Sequence, residues 1–198
     1  MKTYKKTTTT TENRLEISQD YEPMNTREDD NLGYFITSDR NYNSPDRNEE
    51  LERIVKEMGD IAKDQKDHIK LIKEEIEGTS DEKVLKIYPI TKYEHSGVAY
   101  SLGNLRGFDY SANGFYIITQ NSADNIGLEK TPKNWEKVIE GELELYNKYI
   151  NGDYYQFFLY DKDGEMIDNC SNIAEIEDIR DYLPEEWKDE DLIDYLIN

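Results

Sequence analysis

The chain has 198 residues, of which 34% are charged and 36% hydrophobic, and its formal charge is −20. That length builds one domain with a real core and leaves little for a second. The charge argues against direct binding to nucleic-acid phosphates or an anionic membrane, and 16 tyrosines argue against wholesale disorder.

The charge is uneven. Residues 140–198 carry 18 Asp/Glu against 4 Lys/Arg, a net of −14; residues 1–139 hold the other 26 acids and 20 bases, a net of −6. One cysteine, Cys170, excludes an intrachain disulfide. No apolar run reaches the ~18 residues of a membrane-spanning helix. The opening MKTYKKTTTTTENR has no apolar core and does not read as a secretory signal. A cytoplasmic protein is expected.

In chain order, residues 1–13 read as a disordered threonine-rich tail, and 14–198 as a single domain. Arg14–Ser18 reads as a short opening strand, Asp20–Leu32 as polar turns and Gly33–Asp39 as a strand. Asn41–Asn48 is a loop turning at Ser44-Pro45-Asp46. Glu49–Glu77 is predicted helical, because Leu51, Ile54, Val55 and Met58, then Ile61, Ile69, Ile72 and Ile76, recur at helical spacing. Gly59 either divides that helix or weakens it, and Gly78 stops it.

The densest run of β-branched and aromatic residues follows. It gives strands at Val84–Tyr93, Val98–Leu102 and Gly114–Thr119, with turns at His95-Ser96-Gly97 and Ser111–Gly114. Asn121–Lys130 reads as a loop. Thr131-Pro132 opens a helix to Ile150, with Trp135, Val138, Ile139, Leu143, Tyr146 and Ile150 as its apolar stripe. Tyr154–Tyr160 and Glu165–Asp168 read as strands joined by the hairpin signal Asp161-Lys162-Asp163-Gly164. In the stretch 173–198, Ile176, Ile179 and Leu183, then Leu192, Tyr195 and Leu196, predict two short amphipathic helices separated at Pro184, an acidic helical extension. The expected fold is α+β: an antiparallel sheet of four to six strands, packed on one face by the helices Glu49–Glu77 and Lys133–Ile150.

Five motifs stand in order. They are Tyr21-Glu22-Pro23 with Arg27-Glu28 and Asp30-Asn31-Leu32-Gly33, followed by Arg40 and Tyr42; Tyr93-Glu94-His95-Ser96-Gly97; Phe108-Asp109 leading to Gly114-Phe115; Tyr149, Gly152, Asp153 and Tyr155; and Gly164-Glu165, Ile167-Asp168 and Cys170. Over roughly residues 20–171 this order resembles a family of small proteins borne by phages and mobile elements. The family's Cys-Pro-Trp-Asp-Ser-Gly segment is replaced here by Arg106-Gly107-Phe108-Asp109-Tyr110-Ser111. The resemblance implies a phage or plasmid setting, not a reaction.

Two candidate sites emerge. The first is an acidic face comprising Glu140, Glu142, Glu144, Glu175, Glu177, Asp178, Asp181, Glu185, Glu186, Asp189, Glu190, Asp191 and Asp194. Duplex DNA carries about one charge per 1.7 Å of axis, and carboxylates on packed helices imitate part of that field. The second is a pocket of Tyr93, Glu94, His95, Ser96, Asp109 and Tyr116, where an imidazole beside carboxylates suits proton transfer. Neighbouring strand residues point to opposite faces, which favours His95 and Ser96 simply holding the turn against Asp109. His68, among helix charges, reads as a solvated residue. Two histidines and one cysteine show no metal-ligand spacing, and no phosphate-loop, nucleophile-elbow or zincin motif implies a cofactor or reaction.

These features predict a non-enzymatic inhibitor of a host nucleic-acid-directed defence, anti-CRISPR or anti-restriction. Its partner would be a host defence protein with a basic nucleic-acid-binding groove. The alternatives are a small ligand-binding protein or enzyme using the His95/Asp109 region, and an adaptor whose tail helices bind a partner protein.

Overall fold

The structure, a computed structural model, describes residues 13–28, 30–39, 43–57, 61–127 and 131–197. The threonine-rich tail before residue 13, Arg40, Tyr42, Met58, Gly59 and the side chain of Ile61 lie outside the described residues.

In chain order the strands and helices are β1 (Arg14–Gln19), β2 (Tyr34–Thr37), α1 (Glu49–Glu57), α2 (Ile61–Thr79), β3 (Val84–Glu94) and β4 (Val98–Leu102). Then come β5 (Tyr110–Thr119), α3 (Gln120–Ile126), α4 (Pro132–Asn151), β6 (Tyr155–Tyr160) and β7 (Met166–Ile173). Three 3₁₀ turns follow, Ile176–Asp181, Glu185–Trp187 and Leu192–Tyr195, and β8 (Leu196–Ile197) closes the described chain. The fold is α+β. Its strands divide into two four-stranded sheets rather than one sheet of four to six, and the chain into two compact units.

The central unit, Thr26–Asn147, holds the sheet β2-β5-β3-β4, antiparallel throughout. Strand side chains alternate between faces. Ile36, Ile87, Phe115 and Ile117 face Leu51, Ile54, Val55, Ile72 and Ile76 of α1 and α2. Phe35 points the other way and meets Tyr146 of α4 edge-on at 5.7 Å between ring centroids. The long helices therefore take opposite faces instead of sharing one, which is why Asn113–Thr119 of β5 is buried without a break. Pro89 lies inside β3, where its missing N–H would ordinarily break a ladder. β4 begins pairing only at Ile90, so on that side the proline faces no strand.

Three further details differ from the sequence reading. Gln120–Ile126 is helix where a loop over Asn121–Lys130 was expected, with a reciprocal Thr119–Ser122 capping box at its start and Gly127 left-handed at its end. β5 begins at Tyr110, four residues before the expected Gly114. His68 is fully buried, its ring 5.8 Å from that of Phe115, and not solvated.

The terminal unit comprises Met1–Asn25 and Lys148–Asn198, and its sheet runs β7-β6-β1-β8. β6 pairs antiparallel with β1 and β7, while β8 runs parallel to β1. Leu15, Ile17, Phe157 and Leu159 pack against Ile179, Leu183, Trp187, Leu192 and Tyr195. The acidic stretch is thus the cover of a core and no appendage. Its apolar pairs Ile176/Ile179 and Leu192/Tyr195 stand three apart, the period of a 3₁₀ turn, and Pro184 blocks continuation of the first. Both features explain short 3₁₀ turns in place of the two amphipathic helices expected.

Candidate functional site

In the terminal unit, burial of Ile179, Leu183, Trp187, Leu192 and Tyr195 fixes which residues of the last stretch face water. Glu175, Glu177, Asp178, Asp181, Glu185, Glu186, Asp189, Asp191 and Asp194 are exposed, and Glu190 is half-buried with its carboxylate accepting from the Tyr195 hydroxyl at 2.8 Å. Residues 173–198 hold ten acids and two bases, a net of −8. Of the two bases, Arg180 turns inward: its Nη1 donates to the carbonyls of Lys188 and Glu190 at 2.6 Å each, and its Nε to Glu177 at 2.8 Å. Lys188 stands 3.9 Å from Glu185. Lys148 pairs with Glu175. Asp178, Asp181, Glu186 and Asp189 have no cation beside them among the described residues. Glu140 and Glu144 are exposed on α4, in the central unit.

The second candidate assembles only as an open turn. His95 and Ser96 are exposed at the β3–β4 turn, and the His95 side chain keeps 69% of its surface in water. Its Nδ1 lies 3.7 Å from Asp109 Oδ1, and the Glu94 N–H donates to the Asp109 carbonyl at 3.1 Å. Tyr93 lies against Tyr110, ring centroids 5.1 Å apart. The Glu94 carboxylate reaches Lys92, 2.8 Å away, rather than the histidine. Tyr116 does not join them: it is fully buried in the network described next.

That network converges on Arg27, which was not among the expected site residues. Only 2% of the Arg27 side chain is exposed. Its Nε donates to Asp46 Oδ1 at 3.2 Å and its Nη2 to Asp46 Oδ2 at 2.7 Å and the Gly33 carbonyl at 2.6 Å. Nη1 donates to Asn31 at 2.8 Å and Glu142 at 2.9 Å. All five guanidinium N–H groups are engaged. Glu142 also accepts from the Leu32 N–H at 2.8 Å and from the Tyr116 hydroxyl, which itself accepts from the Gly33 N–H at 2.9 Å. Glu142 therefore belongs to the interior and not to the acidic face. Burial alone would lower the Arg27 pKa; the Asp46 hydrogen bond and charge, with Tyr116 and Glu142, reverse this and raise it. Burial first, and Glu142 second, push the Tyr116 phenol well above its ordinary range. The signal for this network was in the sequence: Arg27 and Asp30–Gly33 form one of the quoted motifs, but nothing local shows that residues 46, 116 and 142 complete it.

Beside Arg27 opens a cleft of about 250 Å³, lined also by Asp30, Tyr34, Glu82, Asn121 and Asn125. Among the described residues, no group of three or more His, Cys, Asp or Glu side chains is placed to hold a metal ion. Nor is any described helix long and apolar enough to cross a membrane. Compared with protein-family models, curated proteins and solved structures, the chain matches none. Function is read from its own residues.

Proposed function

We propose that this chain is a phage- or mobile-element-borne inhibitor of a host nucleic-acid-directed defence, CRISPR or restriction, working without chemistry of its own in the host cytoplasm. The terminal unit docks its carboxylates on the basic groove in which the host protein holds nucleic acid. One observation carries this reading: the acids of residues 175–194 stand on short turns anchored by the buried Ile179, Leu183, Trp187, Leu192 and Tyr195, so they are held outward before a partner arrives. Preorganised charge avoids the ordering cost that a flexible acidic tail meets on binding. It also steers a basic partner over distances comparable to the Debye length, ~8 Å at physiological ionic strength.

The resemblance of five ordered motifs to phage-borne proteins supports the setting. The alternative at His95 and Asp109 gains no such support, because an imidazole mostly in water offers a substrate no enclosure.

Expressing the chain in bacteria that carry a CRISPR or restriction system, then challenging them with sensitive phage, tests the proposal. The wild-type chain should raise plating efficiency by orders of magnitude. A variant with Asp181→Lys, Glu185→Lys, Glu186→Lys and Asp189→Lys should lose the effect while keeping its melting temperature. Full protection by the reversed variant would sink the reading.

A further inference from the structure

We infer that the cleft beside Arg27 is a binding site for a guanidinium group, the arginine side chain of a partner polypeptide. The site lies in the central unit and does not depend on the acidic surface of the terminal unit. Its chemistry follows from which lining groups already have partners. Arg27, the floor, looks like an anion receptor, but its five N–H groups all donate to Asp46, Asn31, Glu142 and the Gly33 carbonyl, leaving none for an incoming anion. The Ser122 hydroxyl and N–H are engaged in the capping box with Thr119.

What remains is two carboxylates and two neutral amides, with no free cation among the described lining residues. The carboxylate of Asp30 and the amides of Asn121 and Asn125 make no side-chain hydrogen bond among the described residues. Glu82 uses one oxygen, Oε1, to accept from the Tyr34 hydroxyl at 3.3 Å and keeps the other. Tyr34 itself is 38% exposed and lines the same space.

Phosphate, carboxylate and nucleotide ligands would meet the charges of Asp30 and Glu82, and the Asn121 and Asn125 amides are neutral donors that do not offset them. A neutral ligand would leave those charges unpaired. Inorganic cations want several converging oxygens, and among the described residues no three His, Cys, Asp or Glu side chains supply them. A guanidinium fits what is left: it is flat, offers up to five donors in a fixed fork, pairs with carboxylates through two bonds and stacks on an aromatic face. About 250 Å³ holds that head group and a few waters of ~30 Å³ each. A chain with a formal charge of −20 draws basic partners toward it, which favours an arginine carried on a protein over a free metabolite.

The test is a titration of the isotopically labelled full chain, followed by the backbone amide resonances. The probes are N-acetyl-arginine N-methylamide, agmatine, and the neutral isostere N-acetyl-citrulline N-methylamide. Blocked arginine should produce saturable shifts at Gly33, Asn121, Ser122 and Asn125, with a dissociation constant on the order of millimolar for so small a fragment. Citrulline should leave those resonances in place. The Asp30→Asn, Glu82→Gln double variant should bind blocked arginine at least roughly tenfold more weakly, a loss of about 1.4 kcal/mol, at an unchanged melting temperature. Equal shifts from citrulline, undiminished binding by the double variant, or no saturable shift at these amides would overturn the site. Binding of agmatine with exclusion of blocked arginine would overturn the assignment to a polypeptide.

Discussion

The two units solve one problem in opposite ways. Each builds a four-stranded sheet from a strongly acidic chain, yet the central unit draws charges inside while the terminal unit turns them out. Arg27, Asp46 and Glu142 are largely buried in the first, as are Lys92 and Asp39, whose side chains lie 2.6 Å apart. In the second, the last stretch buries Trp187 and Tyr195 and leaves nine of its ten carboxylates exposed. Charge in the central unit is therefore part of the fold; in the terminal stretch it is surface that the fold carries. Asp178, Asp181, Glu186 and Asp189 can therefore be exchanged in a functional test, whereas Asp46 and Glu142, which hold Arg27, cannot.

Mutations sharpen this contrast, and the largest effect is expected at Arg27. Arg27→Met leaves Asp46 and Glu142 buried without their counter-ion, a loss of about 3–5 kcal/mol that urea denaturation would register as a large fall in midpoint. A stability within ~1 kcal/mol of wild type would mean that the network is incidental. In the terminal unit the comparable loss must come from packing. Trp187→Ala empties a fully buried site that Tyr195 meets edge-on at 5.4 Å, and should cost about 3–5 kcal/mol.

Alkaline pH gives a smaller effect with a defined sign. Tyr116 is raised by burial and by Glu142, and Tyr195 by burial and by its hydrogen bond to Glu190. A phenol whose folded-state pKa exceeds its unfolded value of ~10 contributes its stability in full below that pH and loses it as pH climbs toward the folded value. Urea midpoints should therefore fall above about pH 10, and less steeply in Tyr116→Phe and Tyr195→Phe. A midpoint flat from pH 8 to about pH 11 would contradict the shifts. Smallest of all, Glu186→Lys and Asp189→Lys should each change stability by no more than ~0.5 kcal/mol in calorimetry, since both lie on the surface without a cation beside them.

How far the sequence could be read follows from the range of the signals. β4 was legible to the residue, Val98–Leu102, and α4 to within one residue at each end, because alternation, an N-cap and a proline are local cues. Two sheets in place of one was not legible, since pairing of Arg14–Gln19 with Tyr155–Tyr160 is a contact across most of the chain. The short helix after Thr119 was hidden because Ser122 and Gly127 resemble loop residues until the capping box closes. The acidic stretch was legible as charge, and its 3₁₀ turns were missed because apolar residues three apart also suit an α-helix. Glu142 was misread for a related reason: two residues from Glu140 and Glu144, it points elsewhere on the helix, toward an arginine 115 positions away.

The central claim is that fixed carboxylates at the end of the chain bind a cationic groove. Capturing the partner on the tagged chain and measuring their dissociation constant across salt concentration tests it most directly. The constant should weaken steeply between about 50 and 200 mM salt, and the slope should flatten when Asp181, Glu185, Glu186 and Asp189 are reversed. An affinity unchanged across that range, with the reversed variant bound as tightly as the wild type, would contradict it.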